Sequence, residues 1–371
     1  MKRKRRLSWT FIFSLALVGY VTFTLLDAFV IPHDTVTLSS LQAQKADGES
    51  TTPDEDTSSV DHADAGSENS ENEHHRPKGD GTKKVYAEGS KEKKPSGKGS
   101  GKGSGSHKKG SNSDEDESAV SVSDAAPAET GTDSYSADGI TVTLTTKYVN
   151  DTYVYIADVV LDDTASLQSG LAKDTFGRNV SEKTSEIAER LNAVLAINGD
   201  YYGFRDDGYV IRNGYLYRDE AADGDQEDLV IYKDGTFEII KESEITAQEL
   251  LDKGALQVYS FGPSLVNDGA VTVSAGDEVD QSMTSNPRTA IGMVEAGHYV
   301  FVVSDGRTDE SEVLSLAELA SVMADAGCTV AYNLDGGGST TMYFNGELVN
   351  KPTTNGNKIS ERSVSDIVYI G

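Results

Sequence analysis

From residue 135 onward, apolar and polar positions mostly alternate with a period of two, which predicts strands. Ile140 to Tyr148 and Tyr153 to Val160 both follow this pattern. Leu229 to Ile240 reads as a hairpin turning at Asp234-Gly235. Thr289 to Val303 reads as a second around Glu295-Ala296-Gly297, and Thr341 to Val349 as a third at Asn345-Gly346. Helical spacing is rarer and runs from Ser181 to Leu191. Thr246 and Glu249 form a capping box that opens a short helix. Ser315 and Glu318 open another, which stops at Gly327. Many strands with about three helices among them predict the α+β class, a single domain with a mixed, strand-rich sheet over residues 135–371.

The N-terminal pattern differs. Lys2, Arg3, Lys4, Arg5 and Arg6 precede an uncharged run from Leu7 to Leu26, and after Asp27 the apolar character resumes to Ile31. The run has no polar face, which disfavours a buried soluble helix. At about 1.5 Å per residue it reaches the roughly 30 Å of a hydrocarbon core. No small-x-small cleavage site ends it. Residues 1–34 are therefore expected to be a cytoplasmic basic tip and a transmembrane signal anchor, with the rest of the chain outside the cell membrane. Residues 35–134 are rich in Ser, Gly, Asp, Glu and Lys and poor in apolar side chains. Such a segment cannot bury enough surface to offset its ordering entropy, so a disordered linker is expected. As Gly/Ser-like coil it would span on the order of 50–60 Å.

Charge and composition narrow the chemistry. The 33 Lys and Arg against 61 Asp and Glu give a net charge of −28, which argues against diffuse binding to nucleic acid. A single cysteine, Cys328, excludes an intrachain disulfide. Of the 6 histidines only His298 lies in the strand-rich region, so a His-rich zinc site is not expected there. Carboxylates, guanidiniums, hydroxyls and backbone amides are left to carry any catalysis.

Three apolar strand-like runs end in Asp or Asn beside Gly. Ala193 to Ile197 leads into Asn198-Gly199-Asp200-Tyr201-Tyr202. Val300 to Val303 leads into Ser304-Asp305-Gly306-Arg307. Val330 to Leu334 leads into Asp335-Gly336-Gly337-Gly338-Ser339-Thr340. Strand ends of this kind bring polar groups together at one sheet edge. Either Asn198-Gly199 or Asp305-Gly306 alone is equally well a plain turn. Three successive glycines are costlier, and they suit a nest of N–H groups around an oxyanion. The spacing of a phosphate-binding P-loop is absent. Ser339 has no neighbouring base in sequence to activate it as a nucleophile.

These blocks, with Gly262-Pro263, Arg288-Thr289-Ala290-Ile291-Gly292 and Glu361-Arg362 in the same order, resemble the phosphodiester glycosidase family. That family holds the lysosomal uncovering enzyme and many bacterial exopolysaccharide-related proteins. The likeness extends over residues 140–371. It implies hydrolysis of the bond between a sugar anomeric carbon and a phosphodiester oxygen, with a carbohydrate or glycopolymer phosphodiester as substrate. Asp335, Asp305 and Asp200 are the catalytic carboxylates it implies, the last less firmly, because Asp200 and Tyr201-Tyr202 replace the family's usual Gly and Phe-Phe. Arg288, Arg307 and Arg362 are the implied clamps for phosphate or sugar. Gly336, Gly337, Gly338, Ser339 and Thr340 would supply backbone donors, Asn198 would orient sugar hydroxyls, and Tyr201, Tyr202 and Tyr209 would stack on a sugar ring. The resemblance fixes no cofactor and leaves a divalent cation, Ca²⁺ or Mg²⁺, open. The competing reading is a non-catalytic glycopolymer-binding module whose aspartates hold Ca²⁺ or Mg²⁺. A third is a surface scaffold in which the linker matters more than the cleft.

Overall fold

The computed structural model describes residues 9–37, 128–222, 224–274, 286–354 and 358–371. Among the described residues twenty-two strands pair in five sheets. The largest has eight strands, in the order β14 (Ala270–Val271), β13 (Ser264–Asn267), β17 (Val330–Leu334), β15 (Thr289–Glu295), β16 (His298–Ser304), β4 (Thr152–Leu161), β3 (Ile140–Val149) and β2 (Ala128–Ala137). A second runs β19 (Glu347–Leu348), β18 (Met342–Phe344), β7 (Leu195–Asn198), β22 (Asp366–Ile370) and β5 (Leu167–Leu171). A third runs β11 (Phe237–Lys241), β10 (Glu227–Tyr232), β12 (Ala255–Tyr259), β8 (Val210–Arg212) and β9 (Tyr215–Arg218). Two small pairs complete the set: β1 (His33–Thr37) with β6 (Thr175–Arg178), and β20 (Thr353–Thr354) with β21 (Lys358–Ile359).

The three predicted hairpins form β10–β11, β15–β16 and β18–β19. The mixed sheet does not: every pairing among the described strands is antiparallel. A parallel neighbour needs a crossover, usually helical, and the chain spends its few helices elsewhere. α2 (Thr184–Arg190), α3 (Ala247–Asp252) and α4 (Leu316–Asp325) each cover the outer face of one large sheet. α3 and α4 start at the predicted capping boxes, where Thr246 and Ser315 accept from the Glu249 and Glu318 amides. The inner faces of all three sheets share one core, with Val142, Phe301 and Tyr332 of the first, Ile197 and Val368 of the second, and Leu229 and Tyr259 of the third. Alternation on β16 shows how a strand is buried on both faces. Tyr299, Phe301 and Val303 enter that core, while Val300 and Val302 meet α4.

α1 (Trp9–Phe29) is an N-terminal helix. Its described side chains extend from Phe13 to Asp27, about 22 Å at 1.5 Å per residue. Among the described residues no helix is long and apolar enough to cross a membrane. The expected linker lies mostly outside the described residues. Its expected ends, 35 and 134, fall inside β1 and β2.

Candidate active site

Several strand ends meet at one rim of the domain. Antiparallel register sets Thr289 opposite Leu334, Met342 opposite Ile197, and Ile367 opposite Asn198. The loops after β7 and β17 and the residues before β15 therefore converge there. Asn198 ties them together: Thr289 Oγ1 donates to its Oδ1 at 2.9 Å and the Thr341 amide at 3.2 Å, while its Nδ2 donates to the Asp335 carbonyl at 2.7 Å.

At this rim a cleft of about 220 Å³ is bordered by Asp335, Arg288, Arg307, Arg362, Tyr201 and the turn Gly336–Gly338. An adjoining hollow of about 170 Å³ shares Tyr201, Asp335 and Arg362 and adds Asp200 and Ser339. Asp335 is the half-buried carboxylate common to both. Its Oδ2 accepts from Ser339 Oγ at 2.6 Å and from Arg362 Nη2 at 2.9 Å. Arg362 Nε also donates to Ser339 Oγ at 2.8 Å, closing a triangle. Burial raises the Asp335 pKa above the ordinary carboxylate range, and Arg362 and Ser339 pull partly against it. Arg288 is buried, and its Nε donates to the Leu314 carbonyl at 2.9 Å. Arg307, exposed, donates to Asn286 Oδ1 and lies beside Gly337.

The glycine turn is built for close approach. A Cβ on Gly336 would stand 2.7 Å from the Pro287 carbonyl oxygen, and one on Gly338 would stand 2.7 Å from Thr354 Oγ1. Gly337 has φ +62°. The expected oxyanion nest does not form across the whole turn. The Gly337 amide donates to Pro287 O at 2.8 Å, Ser339 to Gly336 O at 3.2 Å, and Thr340 to Gly337 O at 3.3 Å.

Other expected residues stand away from the cleft. Asp305 is buried and braces neighbouring loops: Tyr155 OH donates to one oxygen at 3.0 Å and the Lys351 amide to the other at 2.7 Å. It borders neither hollow. Asn198 has its amide committed to the framework, so it orients loops rather than sugar hydroxyls. Thr340 is fully buried, and its carbonyl accepts from Asn350 Nδ2 at 3.0 Å. Tyr202 is buried, stacked on Phe176 at 5.1 Å, and its hydroxyl donates to the Ser365 carbonyl. Tyr209 is buried too, donating to the Glu242 carbonyl. Of the three tyrosines only Tyr201 reaches the cleft, backed by Phe204 at 5.1 Å.

Asp200 borders the second hollow, yet its oxygens are engaged. The Tyr202 amide donates to Oδ1 at 2.9 Å, the Ser260 amide to Oδ2 at 3.1 Å, and Arg212 Nη2 lies 3.1 Å from Oδ2. Arg212 is wholly buried, 4.2 Å from the Tyr259 ring centroid, and its Nε donates to Asp366 Oδ2 at 2.7 Å. Burial pushes the Asp366 pKa up to about 7 despite that guanidinium. Sequence reading missed this cluster, since nothing marks Arg212 at the end of an apolar strand or Asp366 at the start of one. Gly199 was a faint signal: a Cβ there would sit 2.2 Å from Asp366 Oδ1. Also unforeseen were Phe261 and Asn333 at the cleft, the former beside the Gly262-Pro263 pair already noted. Among the described residues no group of three or more His, Cys, Asp or Glu side chains is arranged to hold a metal ion.

Residues 191–371 match the family model of the phosphodiester glycosidases, a part of the span 140–371 over which the motifs resemble that family. It is 31% identical over 228 residues to the SPbeta prophage-derived uncharacterized protein YomE of Bacillus subtilis (strain 168), covering 60% of this chain and 33% of that protein. It is 27% identical over 169 residues to N-acetylglucosamine-1-phosphodiester alpha-N-acetylglucosaminidase of Homo sapiens, covering 44% of this chain and 28% of that protein. The chain thus spans about a third of the length of the curated relatives it matches. Its fold is similar to that of the zebrafish N-acetylglucosamine-1-phosphodiester alpha-N-acetylglucosaminidase catalytic domain auto-inhibited by pro-peptide. The TM-score is 0.50 at 22% identity, covering 65% of this chain and 87% of that one.

Proposed function

We propose that this chain hydrolyses sugar-1-phosphodiesters, cleaving between the anomeric carbon and the phosphodiester oxygen. The observation that carries the reading is the meeting of Asp335 with Arg288, Arg307 and Arg362 around one cleft at the glycine turn. A phosphodiester leaves as a stable anion, so proton donation to it matters less than in an ordinary glycoside. The demand shifts to the oxocarbenium-like carbon and to the departing phosphate. Asp335, ionised, faces the first as electrostatic partner, nucleophile or base for water. Guanidiniums, donors only and always charged, suit the second. Tyr201 offers a ring face to the sugar. Asp305 and Asp200 then act as braces that hold the loops bearing these groups. The names of the human and zebrafish relatives make an N-acetylglucosamine-1-phosphodiester the first substrate to try.

The same proposal places the enzyme outside a membrane, working on envelope polysaccharide or glycopolymer. What supports this is the basic cluster Lys2 to Arg6 followed by the uncharged run to Leu26. The test is a full-chain assay for free sugar released from methyl N-acetylglucosamine-1-phosphodiester. Asp335→Asn should lower kcat/KM by on the order of a thousandfold, as loss of a group acting on transition-state charge does, with an unchanged circular dichroism spectrum. A variant turning over at the wild-type rate would remove Asp335 from the mechanism.

A further inference from the structure

Asn333 sits two residues before Asp335, on β17, and borders the cleft although only 1% of it is exposed. Its backbone N–H donates to the Pro263 carbonyl at 3.2 Å, and its Nδ2 donates to the Gly262 carbonyl at 2.7 Å. A carbonyl only accepts, so the side-chain atom facing Gly262 must be the amide nitrogen. That fixes the other end of the amide. Asn333 Oδ1 is buried and has no partner in the protein. Such an orphaned acceptor costs stability, and the bond from Nδ2 to the Gly262 carbonyl does not use it. A polar group kept there calls for a donor that arrives from the cleft.

The neighbouring groups decide what kind of donor. Arg288, Arg307 and Arg362 can only donate, and they match the anionic oxygens of a phosphodiester. A phosphodiester monoanion carries acceptors and no donor, so it has nothing to give Asn333 Oδ1. A sugar ring carries hydroxyl or amide N–H donors. We infer that Asn333 is a specificity-determining residue, whose Oδ1 accepts a hydrogen bond from one hydroxyl or N–H of the substrate's sugar ring. This deepens the hydrolase reading above and rests on it for the identity of the ligand. It divides the cleft by chemistry: guanidiniums read the phosphate, and the neutral amide oxygen reads the sugar.

The test uses the full chain and the methyl phosphodiester of glucose-1-phosphate with its 2-, 3-, 4- and 6-deoxy analogues. Turnover is followed in the wild type. Binding of the same five compounds is measured by calorimetry in the Asp335→Asn background, where they survive intact. One analogue should bind about ten- to a hundredfold more weakly than the parent, the loss expected when a buried acceptor is left unpaired. Asn333→Leu should bring that one ratio close to one while leaving the other three ratios unchanged. Asn333→Asp, which keeps an acceptor, should preserve it and so covers the case in which the leucine variant misfolds. If Asn333→Leu, folded by its cooperative melt, weakens all five compounds by the same factor, Asn333 is structural and the inference is overturned. If no deoxy analogue binds more weakly than the parent, it is overturned as well. Discrimination that responds to Asn333 without turnover of any diester would uphold the contact and sink the hydrolase reading.

Discussion

In the proposed hydrolysis Asp335 carries the chemistry, and its surroundings set conflicting demands. Burial favours the neutral acid, whereas Arg362 and Ser339 favour the carboxylate. A group acting through negative charge is active only above its pKa, so the rate should fall as pH drops through that raised value. Replacing Arg362 with Gln removes a charge that lowers the pKa. The acidic limb of the kcat/KM profile should therefore move to higher pH in Arg362→Gln, and a limb that stays or moves down would show that Asp335 is not the titrating group. The sequence marked Asp335, Arg288, Arg307, Arg362 and Tyr201 by their place beside glycines or in recurring blocks. It ranked Asp305 and Asp200 with them because all three aspartates follow strand-like runs. What separates them is where each carboxylate points after the strand ends, and that depends on partners far along the chain: Tyr155 and Lys351 for Asp305, Arg212 and Ser260 for Asp200.

Between elements, local signals and long-range ones divide in the same way. Gly235 in one hairpin, and Asn345 with Gly346 in another, fix the turn because their positive φ values are written into the residue types. Thr246 and Ser315 likewise mark helix starts through their own hydroxyls. No local rule shows that β22 joins β7, or that Asp366 on β22 meets Arg212 on β8 across two sheets. That buried link carries a pH signature. Asp366 titrates at about 7 in the fold, against an ordinary 3.8. A raised carboxylate pKa gives a stability contribution fully present below about pH 4 and lost as pH rises through 7. The melting temperature should therefore fall over this window. Asp366→Asn should flatten that slope, while costing on the order of 3 kcal/mol overall because Arg212 loses one of its two buried partners. Melts at intervals from pH 4.5 to 7.5 give both quantities, and an unaltered slope would assign the pH response to another group, such as buried Asp228.

At the scale of the whole molecule, the N-terminal region meets the strand-rich body through one strand pair. Composition alone suggested a long coil, spanning on the order of 50–60 Å, that holds the domain away from the membrane. The structure places a contact far nearer in sequence. Asn179 Nδ2 donates to the Ile31 carbonyl at 3.1 Å, and β1 pairs with β6 in the register Thr37 opposite Thr175. Val36 packs against Leu171, Phe176, Tyr202 and Val210, the last being next to Arg212's strand neighbour Ile211. The hydrogen-bonding edge of β6 is thereby taken by the chain's own segment a few residues beyond α1. Among the described residues this strand pair ties the segment after α1 to the strand-rich body. Opposed residues of an antiparallel pair have Cα atoms about 4.5–5.5 Å apart, within the range a disulfide spans. Thr37→Cys with Thr175→Cys should therefore cross-link in the folded full chain on mild oxidation. Cys328 would not compete, being buried with its thiol pushed up to about 12. The bond is read as a mass change and as faster gel migration without reductant. A folded double variant that keeps both new thiols free would detach β1 from β6.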